Sequence, residues 1–389
     1  MKILITVNTY YPYKDGVSMV TRYQAEGLVK KGHEVTVLTS AYEGSPEQET
    51  VNGVKIIRDD IKTVHAIHRG NKKEYQEKMI ALSKEMDVLV NVCTQTARTD
   101  WLLPVLDKIS CPKFLYLHGI IDFSWNKEHR RTINSFLSKL WNNLRWKYLY
   151  VKQASNLRKY DMVSQLHEFD TGNWYFEKKY GIQSVILENA ADDIFFEKYG
   201  AAKKEEPCML CVANYIERKN QMLCLEAFYQ ADIPSEWNLV FIGSEETEYY
   251  QMLRKRKEEL EQKYQSNRKV SFEVNVPREE IPDRVAKAEL YLLGSSWEAF
   301  PISIVEAMAA GVPFIATGVG CIRYLPGGVS VNNEKEMAYW MEKLSFDKRV
   351  REYLGQAGHE YAVNHFQIAD KVNKLEKYLL EIYNQKSRV

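Results

Sequence analysis

Short β-branched runs alternate with helical stretches of about fifteen residues along most of this chain, and that alternation leaves few folds open. Ile3 to Asn8 is an apolar run, followed by a loop with Pro12 and Gly16. A helical pattern then runs from Ser18 to Lys31, with apolar Met19, Val20, Tyr23 and Leu28 and Gly32 as its stop signal. Glu34 to Thr39 is the next strand, and similar runs recur at Asp87 to Val92, Lys113 to His118 and Asp161 to Ser164. Strands joined through a helix must run parallel, so the class is α/β.

The pattern restarts in the second half. Ser184 to Leu187 reads as a short strand, and Lys203-Lys204-Glu205-Glu206-Pro207 is a charged, proline-ended junction. Strands follow at Cys208 to Ala213, Leu239 to Gly243, Val270 to Val274, Leu290 to Gly294 and Phe314 to Thr317, with helices between them. The division expected is an N-terminal domain over 1–190, a second over 191–365, and a helical segment over 366–389 packing back on the first. Two doubly wound halves are expected to face each other across a cleft, with ligands beyond the strand C-termini.

Composition excludes several classes. With 45% hydrophobic and 27% charged residues, the chain buries a core and is not disordered. Its 53 Lys+Arg against 52 Asp+Glu leave a net charge of +1, so no global pull toward nucleic acid exists. The opening Lys2 to Val7 is too short for a secretory signal, and no uninterrupted apolar stretch reaches membrane-spanning length. Six scattered cysteines suit a reducing compartment, and a cytoplasmic location is expected.

The most informative stretch runs from Ser295 to Pro313. A strand ends at Gly294, a loop carries Glu298, and a helix is expected to start around Ser303, placing Glu306 in its first turn. Backbone N–H groups from Phe300 to Ile304 are expected to be unpaired at the helix start and to favour an anion there. Two carboxylates accept bonds from sugar hydroxyls while amides hold phosphate, a combination that fits a nucleotide-sugar. The pattern Glu298-Ala299-Phe300-Pro301, then Glu306-Ala307-Met308-Ala309-Ala310-Gly311-Val312-Pro313, resembles the E-x7-E signature of glycosyltransferase family 4. That resemblance implies a GT-B fold, two Rossmann-like domains, and retaining chemistry.

Other landmarks fall in family order. Tyr11-Pro12, then Asp15-Gly16-Val17, is similar to the family's first glycine-rich loop, with Asp15 where a second glycine is common. Gly16 is expected to open room for a phosphate or sugar by adopting positive φ; taken alone, Asp15-Gly16 is a plain turn. His118 ends a strand where the family places a histidine facing the donor sugar. Glu188-Asn189-Ala190-Ala191-Asp192 is similar to the interdomain stretch, with Asn189 and Asp192 read as structural. Lys219 matches the family's diphosphate-binding lysine; Asn214 stands where arginine is common and Asn220 where glycine is common. Arg218 is the candidate for the missing charge. The resemblance thus assigns His118, Glu298 and Lys219 to catalysis. It assigns Gly16, Asn214, Arg218, Lys219, Glu298, Phe300, Pro301, Ile302 and Glu306 to the donor.

Cys208-x-x-Cys211 lies in an apolar strand with no second metal-spaced pair, so it reads as two buried thiols. No Asp-x-Asp occurs, so neither metal nor cofactor is expected and the leaving diphosphate must be met by protein cations. Trp125 to Lys152 holds seven Lys/Arg against Glu128, with Trp125, Trp141 and Trp146. Ile133, Phe136, Leu137, Leu140, Trp141 and Leu144 recur at helical spacing, so much of this stripe is expected to pack. Two readings stay open: a helix on the N-domain core with a solvated basic face, or a segment docking on anionic lipid at the inner face of the membrane.

The expected function is hexosyl transfer from a nucleotide-sugar, UDP in preference to GDP, to a glycan or lipid-linked hydroxyl in cell-surface polysaccharide or glycolipid synthesis. The alternative is a non-catalytic nucleotide-sugar-binding subunit of the same fold. A dinucleotide oxidoreductase is set aside because Asn8 to Gly16 lacks G-x-G-x-x-G.

Overall fold

A computed structural model describes the chain apart from residues 14, 65, 66, 121, 122, 124, 126, 127, 131, 202–205 and 387–389. Lys203, Lys204 and Glu205 of the junction, and Lys127 and Arg131 of the basic segment, therefore lie outside the described residues. The chain divides into two compact units, Met1–Glu188 with Ala369–Val389, and Asn189–Ile368.

In the first unit the strands are β1 (Lys2–Thr6), β2 (Glu34–Ser40), β3 (Gln48–Val51), β4 (Val54–Asp59), β5 (Lys62–Val64), β6 (Ile67–Arg69), β7 (Val88–Val92), β8 (Lys113–Tyr116), β9 (Met162–Gln165) and β10 (Val185–Ile186). Eight of these form one sheet in the order β10-β9-β8-β7-β1-β2-β4-β3, while β5 and β6 pair as a separate hairpin. Ile3 faces Val35 on one side and Val88 on the other, both parallel; within this sheet β3 runs antiparallel, against β4. The central strands are buried on both faces, which is why they read as near-continuous apolar runs. The strands β3, β4, β5 and β6 were not legible in the pattern, since β3 and the β5–β6 pair alternate only between half-buried and exposed positions.

Helix α1 (Gly16–Lys30) begins two residues before the apolar pattern does. Asp15 caps it, its Oδ1 accepting the Ser18 amide at 3.1 Å and its Oδ2 the Thr9 hydroxyl at 2.8 Å. The expectation of a positive φ at Gly16 is corrected: Gly16 is the first helical residue, because the cap sets the turn.

Helix α2 (Ile133–Leu157) corrects the expected packing face. Its buried residues are Lys139, Asn143, Trp146, Tyr150 and Leu157, and Tyr150 OH lies 2.7 Å from Thr94 Oγ1. The stripe expected to pack is instead open: Ile133 is 78% exposed and Trp141 67%, with Phe136, Leu137, Leu140 and Leu144 also exposed. Two apolar faces share one helix, and the face with Trp146 and Tyr150 takes the core. Among the described residues, no helix is long and apolar enough to cross a membrane.

The second unit carries β11 (Cys208–Val212), β12 (Asn238–Gly243), β13 (Val270–Val274), β14 (Leu290–Leu293), β15 (Phe314–Thr317) and β16 (Gly328–Val331) in one parallel sheet. Helices α3 (Gln221–Gln230) and α4 (Ile302–Ala309) follow β11 and β14. Around β11, Met209, Cys224, Leu225, Phe228, Phe241, Leu290 and Leu292 form the core. Cys211 is buried and Cys208 partly so, both as free thiols.

The chain returns to the first unit with α5 (Ile368–Lys386). Val372, Leu375, Leu379 and Ile382 form its buried stripe. Polar contacts pin it: Lys31 Nζ to Asn373 Oδ1 at 2.7 Å, His33 Nε2 to Glu376 Oε1 at 2.8 Å, and Lys371 Nζ to Glu188 Oε2 at 2.9 Å. Gly27 admits the close approach of α1, since a Cβ there would stand 2.5 Å from Val372 Cγ2.

Candidate functional site

In the second unit the strand order β13-β12-β11-β14-β15-β16 reverses direction between β11 and β14. All six strands are parallel, so the loops after them emerge at one edge of the sheet. A reversal of this kind splays the two adjoining loops apart and leaves a crevice for ligand. The loop after β11 carries Asn214 to Lys219, and the loop after β14 carries Glu298.

Those two loops meet at Glu298, which is only 8% exposed. Its Oε1 accepts Lys219 Nζ at 2.6 Å and Ser295 Oγ at 2.7 Å, while Arg218 Nη1 stands 3.5 Å from Oε2. Arg218 Nη1 also donates to the Trp297 carbonyl at 3.1 Å, and its guanidinium lies 5.7 Å from the Trp297 ring centre. Opposite charges and a hydroxyl thus fix one carboxylate beside the strand end. Gly320, at φ 56°, comes from the loop after β15; a Cβ there would overlap the Glu298 and Ala299 carbonyl oxygens, so only glycine lets the two loops pack.

Asn214 is exposed, and its carbonyl accepts Gln221 Nε2 at 3.0 Å. Asn220 occupies the left-handed region at φ 45°, where asparagine is the usual substitute for the glycine common at this point. The turn at Asn220 joins the short Glu217–Lys219 helix to α3 and sets Lys219 toward Glu298.

Helix α4 starts at Ile302, one residue earlier than expected, so Glu306 sits in the second turn. The row of free amides from Phe300 to Ile304 is corrected too: Pro301 has no N–H, and Ile304 N already donates to the Pro301 carbonyl at 3.2 Å. First-turn amides that have no intrahelical acceptor remain at Ile302 and Ser303. The Phe300 ring packs edge-on against Phe366 at 5.6 Å, and its carbonyl accepts Asn189 Nδ2 at 3.0 Å.

Glu306 is 4% exposed and forked by Arg278, whose Nη2 bonds Oε1 and whose Nη1 stands 3.5 Å from Oε2. Burial pushes the Glu306 carboxyl above its ordinary range, Arg278 pulls it back, and Asp192 adds to the upward push. Arg278 opens a one-turn helix after β13 and lies 5.5 Å from the Phe195 ring centre. Sequence reasoning missed this arginine. Its only signal in the sequence was an arginine in a charged loop beyond a strand end.

In the first unit the strand order reverses between β1 and β7. The loop after β7 holds Cys93 at φ 63° and Gln95 at φ 66°, left-handed values that mark backbone strain at a switch point. His118 follows β8, its ring 4.3 Å from that of Tyr116 and its amide bonded to the Cys93 thiol. Among the described residues its buried Nε2 has no hydrogen-bond partner, and burial lowers the ring's pKa to about 3, which favours the neutral imidazole.

Residues 192–361 match the model of the family described as glycosyl transferases group 1. Sucrose-phosphate synthase from Thermosynechococcus elongatus matches at a TM-score of 0.72 and 16% identity, over 98% of this chain and 99% of that one. HepE of Anabaena, solved in complex with UDP and glucose, matches at 0.67 and 15%, over 98% and 100%. The α,α-trehalose 6-phosphate synthase of Burkholderia multivorans matches at 0.69 and 12%, over 99% and 100%. No curated protein matches the chain. At these identities the likeness establishes the fold, which is GT-B.

Proposed function

We propose that this GT-B glycosyltransferase moves a hexosyl unit from a nucleotide-sugar, UDP in preference to GDP, to a hydroxyl acceptor with retention of configuration and without a metal ion. The observation that carries the reading is the pair of buried carboxylates, Glu298 and Glu306, each held by its own cation at the C-terminal edge of one parallel sheet. Glu306 accepts the nucleotide's ribose hydroxyls and Glu298 those of the sugar. Lys219 and Arg218, with the amides of Ile302 and Ser303, meet the diphosphate. His118, assigned to catalysis by the resemblance, has a buried Nε2 with no hydrogen-bond partner among the described residues, which suits a group kept for a sugar or acceptor hydroxyl.

The bond from the anomeric carbon to the phosphate oxygen breaks, and the acceptor oxygen bonds to the same face of that carbon. The acceptor proton passes to the departing diphosphate, so no protein nucleophile is required. Lys219 stabilises charge that grows as the phosphate leaves, which is the condition for lowering the barrier and not merely binding substrate.

The acceptor is a lipid-linked or membrane glycan. Support comes from α2, where Ile133, Leu137, Trp141, Leu144, Tyr148 and Val151 form an exposed stripe at helical spacing. The helix carries Lys139, Arg145, Lys147 and Lys152 and no acidic residue. A basic helix with an open apolar face suits an anionic leaflet.

A thermal-shift panel of nucleotides and nucleotide-sugars, read beside product formation, tests the function. One donor family should raise the melting temperature and be consumed with acceptor. Stabilisation without turnover would favour the non-catalytic reading; no stabilisation by any nucleotide would sink both.

A further inference from the structure

We propose that Arg278 is a positioning residue that makes the donor site select ribose over deoxyribose nucleotides, by holding Glu306 so that each carboxylate oxygen keeps one acceptor position for a vicinal hydroxyl pair. The proposal rests on the reading of Glu306 as the ribose-binding group.

A carboxylate offers two oxygens and about four lone-pair positions. Arg278 occupies one position on Oε1 through Nη2 and faces Oε2 through Nη1 at 3.5 Å. One position per oxygen is left, side by side, which matches a 2′,3′-diol and mismatches a nucleotide lacking the 2′ hydroxyl. A site built to bond a hydroxyl rejects the analogue without it, because a buried acceptor is then left unpaired.

The arrangement works only while Glu306 is charged. Protonation would turn one acceptor oxygen into a donor and break the match. At 4% exposure the carboxylate is desolvated, and the arginine is what opposes proton uptake. Of the groups around it, Asp192 ahead of the Asp193–Glu197 helix adds negative charge, and Tyr291 on β14 is itself pushed toward its neutral form by burial. His359, on the Lys348–His365 helix, is committed to the Ala309 carbonyl at 2.7 Å. On the Ile281–Lys287 helix, Asp283 pairs with Lys198 and Arg284 with Glu273. Among the described residues, Arg278 is therefore the cation that serves Glu306. Pro277 before it and the Phe195 ring beside it fix where the guanidinium stands. A lysine would keep the charge but not the fork.

The test is calorimetric binding of UDP and 2′-deoxy-UDP, or the guanine pair if the panel selects it, to the full chain at roughly pH 6 and pH 8.5. Wild type, Arg278→Gln, Arg278→Lys and Glu306→Gln are compared, with melting curves confirming each fold. Wild type should prefer the ribonucleotide by about tenfold or more at both pH values, a difference of ~1.4 kcal/mol. Arg278→Gln should lose that preference at the lower pH and regain part of it at the higher. Arg278→Lys should show a reduced preference that changes little with pH, and it carries the test if Arg278→Gln does not fold. An Arg278→Gln protein that keeps the wild-type preference, or weakens both nucleotides equally at both pH values, overturns the proposal. Intact preference in Glu306→Gln overturns the ribose reading itself, a result distinguishable from failure of the arginine variants alone.

Discussion

Lys219 Nζ lies 2.6 Å from Glu298 Oε1, so the cation proposed for the diphosphate and the carboxylate proposed for the sugar are each other's partners before any donor arrives. Each prevents the other from being a bare charge in a half-dry site. The donor then exchanges one set of charge-assisted bonds for another, and until then the buried carboxylate and the half-buried lysine satisfy each other.

Replacing Lys219 with Ala, or Glu298 with Gln, should each lower kcat/KM by about 2–3 kcal/mol. Because the two act as one unit, the double variant should lose little more than the worse single variant. Steady-state kinetics on the three proteins checks this. Fully additive losses would separate the two residues into independent roles.

Activity should survive exhaustive chelation. The prediction follows from the lack of Asp-x-Asp in the chain and from the protein cations Lys219 and Arg218 that stand in the proposed phosphate position. Complete loss with EDTA, restored by magnesium or manganese, would overturn the metal-independent reading.

The exposed stripe of α2 should bind anionic vesicles and release them in high salt. Each basic residue near an anionic surface adds about 1 kcal/mol, and apolar side chains add burial. Changing Trp141 and Val151 to Ser, or Arg145 and Lys147 to Ser, should each cut co-sedimentation several-fold. Lys139 is the wrong residue to change, because it lies on the buried face. Equal partitioning of all variants onto neutral and anionic vesicles would return α2 to a soluble role.

His118 should make the fold acid-sensitive. Burial lowers its pKa to about 3 in the folded chain, against about 6.5 unfolded. As pH falls below about 6.5 the unfolded chain gains a proton that the folded site refuses, so stability declines between there and about 3 and is level above. Denaturant titrations at neutral and mildly acidic pH should show a smaller acid loss for His118→Gln than for wild type. Identical losses would mean that the ring takes up its proton without leaving the fold.

The alternation of strands and helices, the restart after Leu187 and the Glu298–Glu306 spacing were readable because each is local, set by periodicity and nearest neighbours. Arg278 was not. Its meaning depends on a partner 28 positions away, and parallel topology alone brings the two loops to one edge. The stripe of α2 was misassigned for another reason: two apolar faces give the same periodic signal, and only the shape of the core chooses between them. Gly328–Val331 escaped notice as a strand because it opens on a glycine beside a turn and pairs on one side only. Asn220 looked like a departure from pattern, yet its φ of 45° shows asparagine doing the backbone work of a glycine.

The return of α5 to the first unit also imposes an order of assembly. The second unit, Asn189–Ile368, is one continuous segment of 180 residues, whereas the first is split around it. At a synthesis rate of about 5–20 residues per second, the ribosome spends roughly 10–40 s on that segment. Through this interval Glu188, Lys31 and His33 wait without Lys371, Asn373 and Glu376, and the surface of α1 at Gly27 stays open. The half made first is thus the half completed last, and a chain stalled before residue 369 would hold a finished second unit beside an unsealed first one.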